Sequence, residues 1–238
     1  MSAQSYYNNF YHELSRLDEK GNNISKIEKF LPELSSGAKI LDIGCGHGSV
    51  SRSLVPRGFD VYGMEINSDA IESLKRHGIK PIEHDISEPF NLRERFDLIL
   101  LLDVLEHVFD PTSLISEAVK ILKDDGTIII TIPLYFDLAD RIRILFTGSI
   151  ISHDNLCYGI DIYKRFRSYN YDHIRFFRPK DIYEMCELTG LKIKKVRYNP
   201  MGGFNLITKM LVRFIANKYT VGIIPNLLAH SMTLQVTK

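Results

Sequence analysis

Cysteine is scarce in this chain, and its three cysteines lie far apart. Cys45, Cys157 and Cys186 are too few and too scattered among 238 residues for a disulfide framework or a zinc site. Residues 1–20 contain neither the apolar core of a signal peptide nor a cleavage signal. No run reaches the roughly 18 uninterrupted apolar residues that suggest a membrane span. These absences predict a protein of the reducing cytoplasm.

Acidic residues are missing from the end of the chain, where Glu187 is the last one. Residues 161–238 carry 14 basic and 5 acidic side chains, a net charge of +9, whereas residues 1–160 carry 16 and 24, a net charge of −8. A basic C-terminal third is typical of a solvated face that balances the acidic part. It also suits an anionic substrate, a membrane surface or RNA.

The residues that are present alternate between strand and helix patterns. Apolar stretches predict strands at 38–44, 60–66, 80–86, within 96–108 and at 126–133, and amphipathic stretches predict helices at 49–58, 68–78 and 111–126. Ser68 suits the N-cap of the second helix, and Gly78 its end. A further helix and two strands are predicted at 178–190, 191–198 and 230–238. This rhythm predicts a doubly wound α/β fold with a mostly parallel sheet.

A glycine-rich turn follows the first predicted strand, in the stretch "ILDIGCGHGSVSRSLV". Gly44, Gly46 and Gly48 allow a sharp turn and let a ligand approach the backbone closely, at the sheet edge where α/β proteins bind ligands. A dinucleotide fingerprint would need a glycine at position 49, which is Ser49. Asp42 disfavours a pyrophosphate and favours an ammonium group. The pattern therefore predicts a ligand with an α-amino acid end, a ribose and a base.

Acidic residues follow each of the next three predicted strands. Glu65 ends the second strand, where a carboxylate can accept hydrogen bonds from both ribose hydroxyls. Asp85 ends the third strand, where it could accept a hydrogen bond from an adenine amino group. Asp103 follows the fourth strand, beside the same cavity. We expect the three carboxylates to surround one ligand, because ligands of open α/β sheets bind outside the carboxyl ends of the strands.

The segments "LDIGCGHG", "GMEI", "HDI" and "FDLILLLDVLEHV" together resemble the successive motifs of class I S-adenosylmethionine-dependent methyltransferases. The resemblance covers roughly residues 35–198 and is strongest to the small-molecule branch that includes ubiquinone-biosynthesis O-methyltransferases. It implies an enzyme with a Rossmann-like, seven-stranded sheet and an antiparallel last strand. It also implies S-adenosylmethionine as cofactor and S-adenosylhomocysteine as product. The implied cofactor-binding residues are Asp42, Gly44, Cys45, Gly46, Glu65, Ile66, Asp85, Ile86 and Asp103.

The turn "DVLEHV" carries the candidate catalytic residue, His107, which as a base could take the proton of an acceptor hydroxyl. The resemblance offers a second interpretation, because some related O-methyltransferases hold a divalent cation with a segment that here would be Asp103, Glu106 and His107. A third is that Glu106 and His107 cap the next helix or close the donor pocket. We assign no metal site from the sequence. His153 and His173 are further candidate bases, with a structural role as the simpler interpretation.

Residues 1–34 are predicted to form an N-terminal helical cap, and residues 35–238 the methyltransferase domain. Within that domain, the aromatic-rich segment 134–175 stands where the family often inserts a substrate lid. An apolar connection, 199–229, leads to the last strand. The overlapping stretch 204–230 has no acidic residue and suits contact with an anionic membrane, a lipid-like acceptor, a dimer face or simple packing. The oligomeric state stays open.

The sequence thus predicts methyl transfer to a small-molecule acceptor, with oxygen favoured and a lipidic or quinone-like compound as one candidate. Aromatic side chains of the lid, among them Tyr135 and Phe146, would cover the acceptor. One alternative is a non-catalytic module that binds S-adenosylmethionine, and another is a nucleic-acid methyltransferase. The Asn-Pro-Pro-aromatic motif of adenine methyltransferases is missing after strand four, which argues against a nucleic-acid partner. Peripheral membrane contact is expected to run through 204–230, if it occurs.

Overall fold

The structure is a computed structural model that describes residues 23–135, 137–147, 173–200 and 219–238. Its strands are β1 (Lys39–Ile43), β2 (Asp60–Glu65), β3 (Lys80–Glu83), β4 (Phe96–Leu102), β5 (Leu122–Pro133), β6 (Lys192–Pro200) and β7 (Ala229–Thr237). Its helices are α1 (Ser68–Arg76), α2 (Pro111–Ile121), α3 (Leu138–Thr147), α4 (Pro179–Leu188) and α5 (Pro225–Leu228). Short 3₁₀ turns occur at Asn23–Lys26, Glu28–Phe30, Ser51–Ser53, Val55–Arg57 and Leu105–His107.

The strands form one seven-stranded sheet in the order β3-β2-β1-β4-β5-β7-β6. Strands β1 to β5 pair in parallel, whereas β7 runs antiparallel between β5 and β6. This arrangement confirms the predicted mostly parallel sheet with an antiparallel last strand. It differs from the dinucleotide-binding sheet, in which the sixth strand lies directly beside the fifth.

The strand order reverses at β1, which is where a ligand is expected. From β1 the sheet first extends to β2 and β3, and the chain then returns to place β4 on the other side of β1. Asp42 of β1 is thereby flanked by Gly63 of β2 and Leu100 of β4. In open α/β sheets, ligands bind outside the carboxyl ends of the strands at such a reversal.

Apolar side chains fill both faces of the sheet, because successive strand residues point to opposite sides. On one face, α2 and α4 pack against the strands through buried residues such as Ile115 and Ile182. On the other face, Leu74 of α1 packs together with Phe30 of the second 3₁₀ turn and with Ile27, which lies between the first two turns. The turns that precede β1 are therefore part of the core.

Residues 49–58 do not form the predicted helix. They form the two 3₁₀ turns at Ser51–Ser53 and Val55–Arg57. Pro56 has no backbone N–H to donate, and Gly58 ends the segment in the left-handed conformation with φ of 82°. A glycine turn on one side and this proline on the other leave too little chain for a regular helix.

The helix predicted over 111–126 is also too long, since α2 ends at Ile121 and β5 begins at Leu122. Leu122 pairs with Phe96 of β4 and so belongs to the sheet. Its side chain lies against Gly126, where an added Cβ would approach Leu122 Cδ1 to 2.7 Å. Leu122, which a longer helix would bury against the core, is therefore buried as a residue of β5.

Two boundaries shift by a few residues. The N-cap of α1 is Asn67 and not Ser68, because the Asn67 side chain accepts a hydrogen bond from the Ala70 N–H at 2.9 Å. The strand predicted at 80–86 ends at Glu83, so Asp85 lies in the turn beyond β3.

The predicted cap and lid lie mostly outside the described residues. Of the cap, 1–34, the structure describes only the last twelve residues, and of the lid, 134–175, mainly α3. The connection 199–229 is likewise described only at its two ends. These three assignments stay predictions. Among the residues that the structure describes, no helix is long and apolar enough to cross a membrane.

Candidate active site

The glycine turn after β1 requires glycine for two reasons. Gly44, Gly46 and Gly48 have φ of 66°, 52° and 75°, a conformation that side chains with a Cβ rarely adopt. An added Cβ would also lie 2.7 Å from Val104 Cγ2 at Gly44 and 2.8 Å from Ile79 Cδ1 at Gly48. The turn is thus packed directly against the segment that follows β4.

Asp42 is buried at the carboxyl end of β1, with 3% of its surface exposed. Burial raises the pKa of Asp42 to about 7, a rise that the hydroxyl of Ser51 opposes by donating a hydrogen bond to Oδ2 and that the charge of Glu65 increases. A cation placed beside this carboxyl would favour its charged form. The position therefore suits an ammonium group, as predicted from the sequence.

Glu65 fastens the glycine turn to the end of β2. Its Oε2 accepts a hydrogen bond from the Gly46 N–H at 3.0 Å, and its Oε1 accepts from the N–H groups of Ile66 and Asn67 at 2.8 and 3.1 Å. A carboxylate oxygen can accept two hydrogen bonds, so Oε2 keeps room for a further donor such as a ribose hydroxyl. The structure therefore adds a loop-fixing function to the predicted ribose contact.

Asp85 and Ile86 lie in the turn beyond β3. Asp85 Oδ1 accepts a hydrogen bond from the Ser87 N–H at 2.9 Å, which shapes the turn. Ile86 Cδ1 would lie 3.8 Å from a Cβ at Gly44, so Ile86 borders the glycine turn. The turn thus brings an apolar side chain and a carboxylate to the region where an adenine ring is expected.

Cys45 is a packing residue within the glycine turn. Its Sγ lies 3.8 Å from the Met64 carbonyl oxygen and 3.7 Å from the Gly46 carbonyl oxygen. Burial, together with the charges of Asp42 and Glu65, raises the pKa of the thiol well above its usual range. Since the thiolate is the nucleophilic form, Cys45 is unsuited to covalent chemistry.

Asp103 follows β4 in an unusual conformation: its φ is 52°, and it is the single non-glycine residue with positive φ among those described. The Thr131 hydroxyl donates to Asp103 Oδ1 at 2.9 Å, and the Asp103 N–H donates to the Thr131 carbonyl at 3.1 Å. Lys26 Nζ lies 3.3 Å from Asp103 Oδ2. Lys26 and Thr131 could not be predicted as partners of Asp103 from the sequence, because they lie 77 and 28 positions away and share no local pattern with it.

Three metal-ligating side chains meet just after β4: Glu106, His107 and His173. Glu106 is fully buried, and His107 Nε2 lies 4.0 Å from its Oε1. The His173 ring packs edge-on against the His107 ring, with 4.7 Å between centroids. One ligand atom of each residue lies within 4.8 Å of the others, so the three could hold a metal ion. Asp103, which the sequence motif places beside Glu106 and His107, does not belong to this group.

His173 lies near the C-terminal end of the segment predicted as the lid, 134–175. Its Nδ1 is hydrogen-bonded to the Tyr135 hydroxyl, 38 positions earlier in the chain. Burial lowers the pKa of His173 to about 4, with a further lowering from His107 and an opposing effect of Asp103. The imidazole is therefore neutral near neutral pH. The sequence analysis named Tyr135 and His173 separately but could not predict that they meet.

The backbone on either side of this contact is also fixed. The N–H groups of Ile174 and Arg175 donate to the Glu106 carbonyl at 2.9 and 3.1 Å. The Arg175 guanidinium donates to the Phe109 carbonyl at 2.6 and 3.3 Å. A parallel bridge joins Leu134 to Phe177. These contacts hold the 173–177 segment against the turn that carries His107.

A comparison with protein families decides what kind of protein this arrangement belongs to. The family described as "Methyltransferase domain" matches residues 15–196, well over half of the chain. The chain belongs to this methyltransferase family. The match confirms the resemblance drawn from the motifs.

Relatives of this methyltransferase support the same assignment. Two proteins named ubiquinone biosynthesis O-methyltransferase are each 26% identical to it. The one from Aliivibrio fischeri (strain MJ11) aligns over 179 residues, 69% of this chain and 70% of its own. The one from Pasteurella multocida (strain Pm70) aligns over 187 residues, 71% of this chain and 72% of its own.

Solved structures show the fold of the methyltransferase. A SAM-dependent methyltransferase from Archaeoglobus fulgidus superposes with a TM-score of 0.61 at 17% identity, covering 96% of this chain and all of that one (100%). Magnesium protoporphyrin IX methyltransferase from Synechocystis PCC 6803, solved with bound SAH, gives 0.61 at 15% identity, covering 99% and 97%. With the family match, these similarities confirm the predicted fold and the predicted S-adenosylmethionine-dependent methyltransferase. The contacts of individual residues with the donor stay predictions.

Proposed function

We propose that this methyltransferase transfers the methyl group of S-adenosylmethionine to an oxygen atom of a small molecule. The proposal depends on one observation, the pairing of His107 with His173 directly after β4. An acceptor hydroxyl must lose its proton as it attacks, and histidine is the side chain best suited to receive a proton near neutral pH. The names of the two bacterial relatives support oxygen as the acceptor atom.

The donor is proposed to lie along the carboxyl ends of β1, β2 and β3. Its amino acid end meets Asp42 and the glycine turn, its ribose meets Glu65, and its adenine lies beside Asp85 and Ile86. Because Val104 packs against Gly44, the turn after β4 begins next to the glycine turn. This order directs the sulfonium methyl group toward the residues from Asp103 to His107.

The chemistry needs little from the protein beyond alignment and proton removal. The acceptor oxygen forms a bond to the methyl carbon while the bond from carbon to sulfur breaks, and S-adenosylhomocysteine leaves as a neutral thioether. Alignment of the reacting atoms contributes about 7–11 kcal/mol in favourable cases. Removal of the hydroxyl proton by His107 as a general base would contribute about 10²–10⁴-fold to the rate.

An aromatic, partly apolar acceptor is the best match to the surroundings of His107. The Tyr135 and Phe176 rings meet edge to face with 4.9 Å between centroids, beside His173. Phe176 and Phe109 remain 45% and 78% exposed at the rim. Rings arranged in this way favour a flat ring over a sugar or a nucleic-acid backbone. We therefore favour a quinone-like or lipidic phenol as acceptor.

We further propose peripheral contact with an anionic membrane, which would give access to a lipidic acceptor. In the described part of 204–230, Tyr219 and Ile223 are 74% and 76% exposed. On α3, Leu145 and Phe146 are 77% and 80% exposed. Arg141 of α3 donates a hydrogen bond to the Asn226 carbonyl at 3.2 Å, which joins α3 to the end of this stretch. Exposed apolar groups of this size are typical of interaction surfaces.

Methyl-labelled S-adenosylmethionine tests the proposal when it is incubated with purified protein and a cell extract of the source organism. We expect label in the organic phase after solvent partition, and loss of that label with His107→Ala. Binding of S-adenosylhomocysteine should stay within about twofold in the variant, since His107 is placed at the acceptor. Aqueous label that a nuclease releases would instead support a nucleic-acid methyltransferase. Full label transfer by His107→Ala would contradict the assignment of His107.

A further inference from the structure

The cluster after β4 differs from the metal-binding set that the sequence motif implies. We propose that this methyltransferase binds a divalent first-row transition-metal ion through Glu106, His107 and His173, with His173 in the place that the motif gives to Asp103. His173 lies outside the motif and far from it in the chain, so only the fold brings it to the site.

The distances allow this set with small movements of the side chains. Ligands held at about 2.0–2.2 Å from a metal ion lie roughly 3–3.5 Å from one another. The three ligand atoms already lie within 4.8 Å of each other, so rotation about side-chain bonds must bring them closer by roughly 1–2 Å. The backbone is held in register for this, because the Glu106 carbonyl accepts hydrogen bonds from Ile174 and Arg175.

Asp103 is engaged elsewhere. Its Oδ1 accepts a hydrogen bond from the Thr131 hydroxyl, and its Oδ2 lies 3.3 Å from Lys26 Nζ. To become a ligand, Asp103 would have to break its contacts with Thr131 and Lys26. Its backbone conformation, which the hydrogen bond from its N–H to the Thr131 carbonyl fixes, would also have to change. The neighbouring ammonium group of Lys26 would further disfavour a metal ion at this carboxylate.

Tyr135 supplies the outer contact that orients a metal-binding histidine. Its hydroxyl is hydrogen-bonded to His173 Nδ1, and in the tautomer whose Nδ1–H donates to Tyr135 the lone pair of Nε2 can bind a metal ion. Metal-binding histidines nearly always use their second ring nitrogen in such a hydrogen bond, which fixes the ring orientation and the tautomer. The contact between Tyr135 and His173 therefore suits a metal-binding histidine.

The ligand types select the kind of metal. Two imidazoles and one carboxylate suit Zn²⁺, Co²⁺ or Fe²⁺, whereas Mg²⁺ prefers oxygen ligands and keeps its water molecules. Three protein ligands also leave coordination positions open, as in catalytic metal sites. Glu106, which is fully buried, would supply the negatively charged ligand of the ion.

The inference depends on the proposed function only for its chemical use. An ion held by these residues would lower the pKa of an acceptor hydroxyl bound to it, so that the proton could pass to water rather than to a histidine. In that case His107 would hold the ion and would not itself accept the proton of the acceptor. The binding of the ion itself can be measured without any acceptor.

Titration of the metal-free full-length protein with Co²⁺ tests the inference. We expect one equivalent to bind, with the visible absorption of a Co²⁺ ion held by nitrogen and oxygen ligands, and Zn²⁺ to displace it while Mg²⁺ does not. His173→Phe, which keeps a ring in the packing, should weaken Co²⁺ binding by about 100-fold or more, and Tyr135→Phe by about 10-fold. Asp103→Asn should leave it within about twofold. His77→Ala, which removes an exposed histidine directly after α1, is the matched control and should leave Co²⁺ binding unchanged.

Two results would overturn the inference: no Co²⁺ binding by the folded wild-type protein, or binding that Asp103→Asn weakens and His173→Phe does not. Retained binding of S-adenosylhomocysteine shows that a variant is folded. If His173→Phe fails this check, Glu106→Gln, which has nearly the same shape, replaces it with the same expected loss. Co²⁺ binding without methyl transfer to any acceptor would refute the proposed function and leave the metal site standing. Methyl transfer by a protein that binds no Co²⁺ would do the reverse.

Discussion

Asp42 is a carboxyl group buried beside a second buried carboxyl group, Glu65, and this placement raises the pKa of Asp42 to about 7. The amino group of the donor favours the charged carboxylate, so binding should release a proton whenever Asp42 is still protonated. We expect the affinity for S-adenosylhomocysteine to rise by up to about tenfold per pH unit below pH 7 and to level off above it. Calorimetric titrations across this range measure the slope. Asp42→Asn should bind more weakly and with no such slope, and a slope that persists in this variant would contradict the assignment.

The same carboxyl group should have the opposite effect on the stability of the free protein. The pKa of Asp42 is higher in the folded protein than its ordinary value of 3.8, so the folded state binds more protons and loses stability as pH rises from about 4 to about 7. Asp42→Asn should therefore raise the free energy of unfolding by about 3–4 kcal/mol at pH 8 and change it little at pH 4. Urea unfolding at the two pH values measures this difference. Equal effects at both pH values would show that folding does not raise the pKa of Asp42.

Gly44 offers a test of the glycine turn against a matched position. Gly44 and Gly37 both have positive φ, 66° and 78°, but an added Cβ would lie 2.7 Å from Val104 at Gly44 and would meet nothing within 4 Å at Gly37. Gly37→Ala should cost about 1 kcal/mol of stability from backbone strain alone. Gly44→Ala should cost about 2–4 kcal/mol and also weaken donor binding, because the turn must move away from Val104. Urea unfolding and S-adenosylhomocysteine titration of both variants separate the two contributions.

At the scale of elements, the sequence predicted the strands well and the ends of helices poorly. The run of apolar residues in β4 identifies a strand buried on both faces whatever its neighbours are. The end of α2 depends on the pairing of Leu122 with Phe96 of β4. The helical spacing of apolar residues carries no information about such a contact between distant segments. Residues 49–58 were predicted as a helix because their apolar spacing is helical, and Pro56 with the preceding glycine turn prevented it.

Arg175 is expected to hold the 173–177 segment against the turn after β4. Arg175→Met keeps the length of the side chain but removes its hydrogen bonds to the Phe109 carbonyl, so it should lower the free energy of unfolding by about 1–2 kcal/mol. Lys180→Met removes an exposed ion pair with Glu184 and should change stability by less than about 0.5 kcal/mol. Urea unfolding compares the two variants. Equal stability of both would show that the segment is held by its backbone contacts alone.

Across the whole molecule, the candidate active site contains two kinds of residue. Some can be predicted from a single segment of the sequence, and others come together only in the folded protein. Asp42 and Glu65 were predictable, because each stands at the end of a strand whose pattern is local and whose position in a parallel sheet is general. The contacts of Tyr135 with His173 and of Lys26 with Asp103 were not predictable. Each pair joins segments far apart in the chain, and the sequence does not tell how close such segments lie in the folded protein. The group proposed to bind a metal ion is therefore assembled by the tertiary fold and cannot be derived from the motif after β4 alone.

The exposed apolar side chains predict which side of the molecule faces a lipid surface, and this prediction can be tested. Leu145 and Phe146 on α3 and Leu188 at the end of α4 are almost equally exposed, at 77%, 80% and 77%. Among the described residues, a hydrogen bond from Arg141 joins α3 to the stretch proposed to contact the membrane. Each inserted side chain contributes about 1–3 kcal/mol, so Leu145→Ser with Phe146→Ser should weaken binding to vesicles of anionic lipid by at least about tenfold. Leu188→Ser should leave binding unchanged.

Sedimentation with vesicles measures this binding, and retained affinity for S-adenosylhomocysteine shows that each variant is folded. Neutral vesicles, or higher salt with anionic ones, should bind less protein, because the basic C-terminal third contributes through charge. If all three substitutions weaken binding equally, the contact is a general effect of exposed apolar groups. If none does, the protein must take its acceptor from solution, and the exposed side chains of α3 must serve another contact.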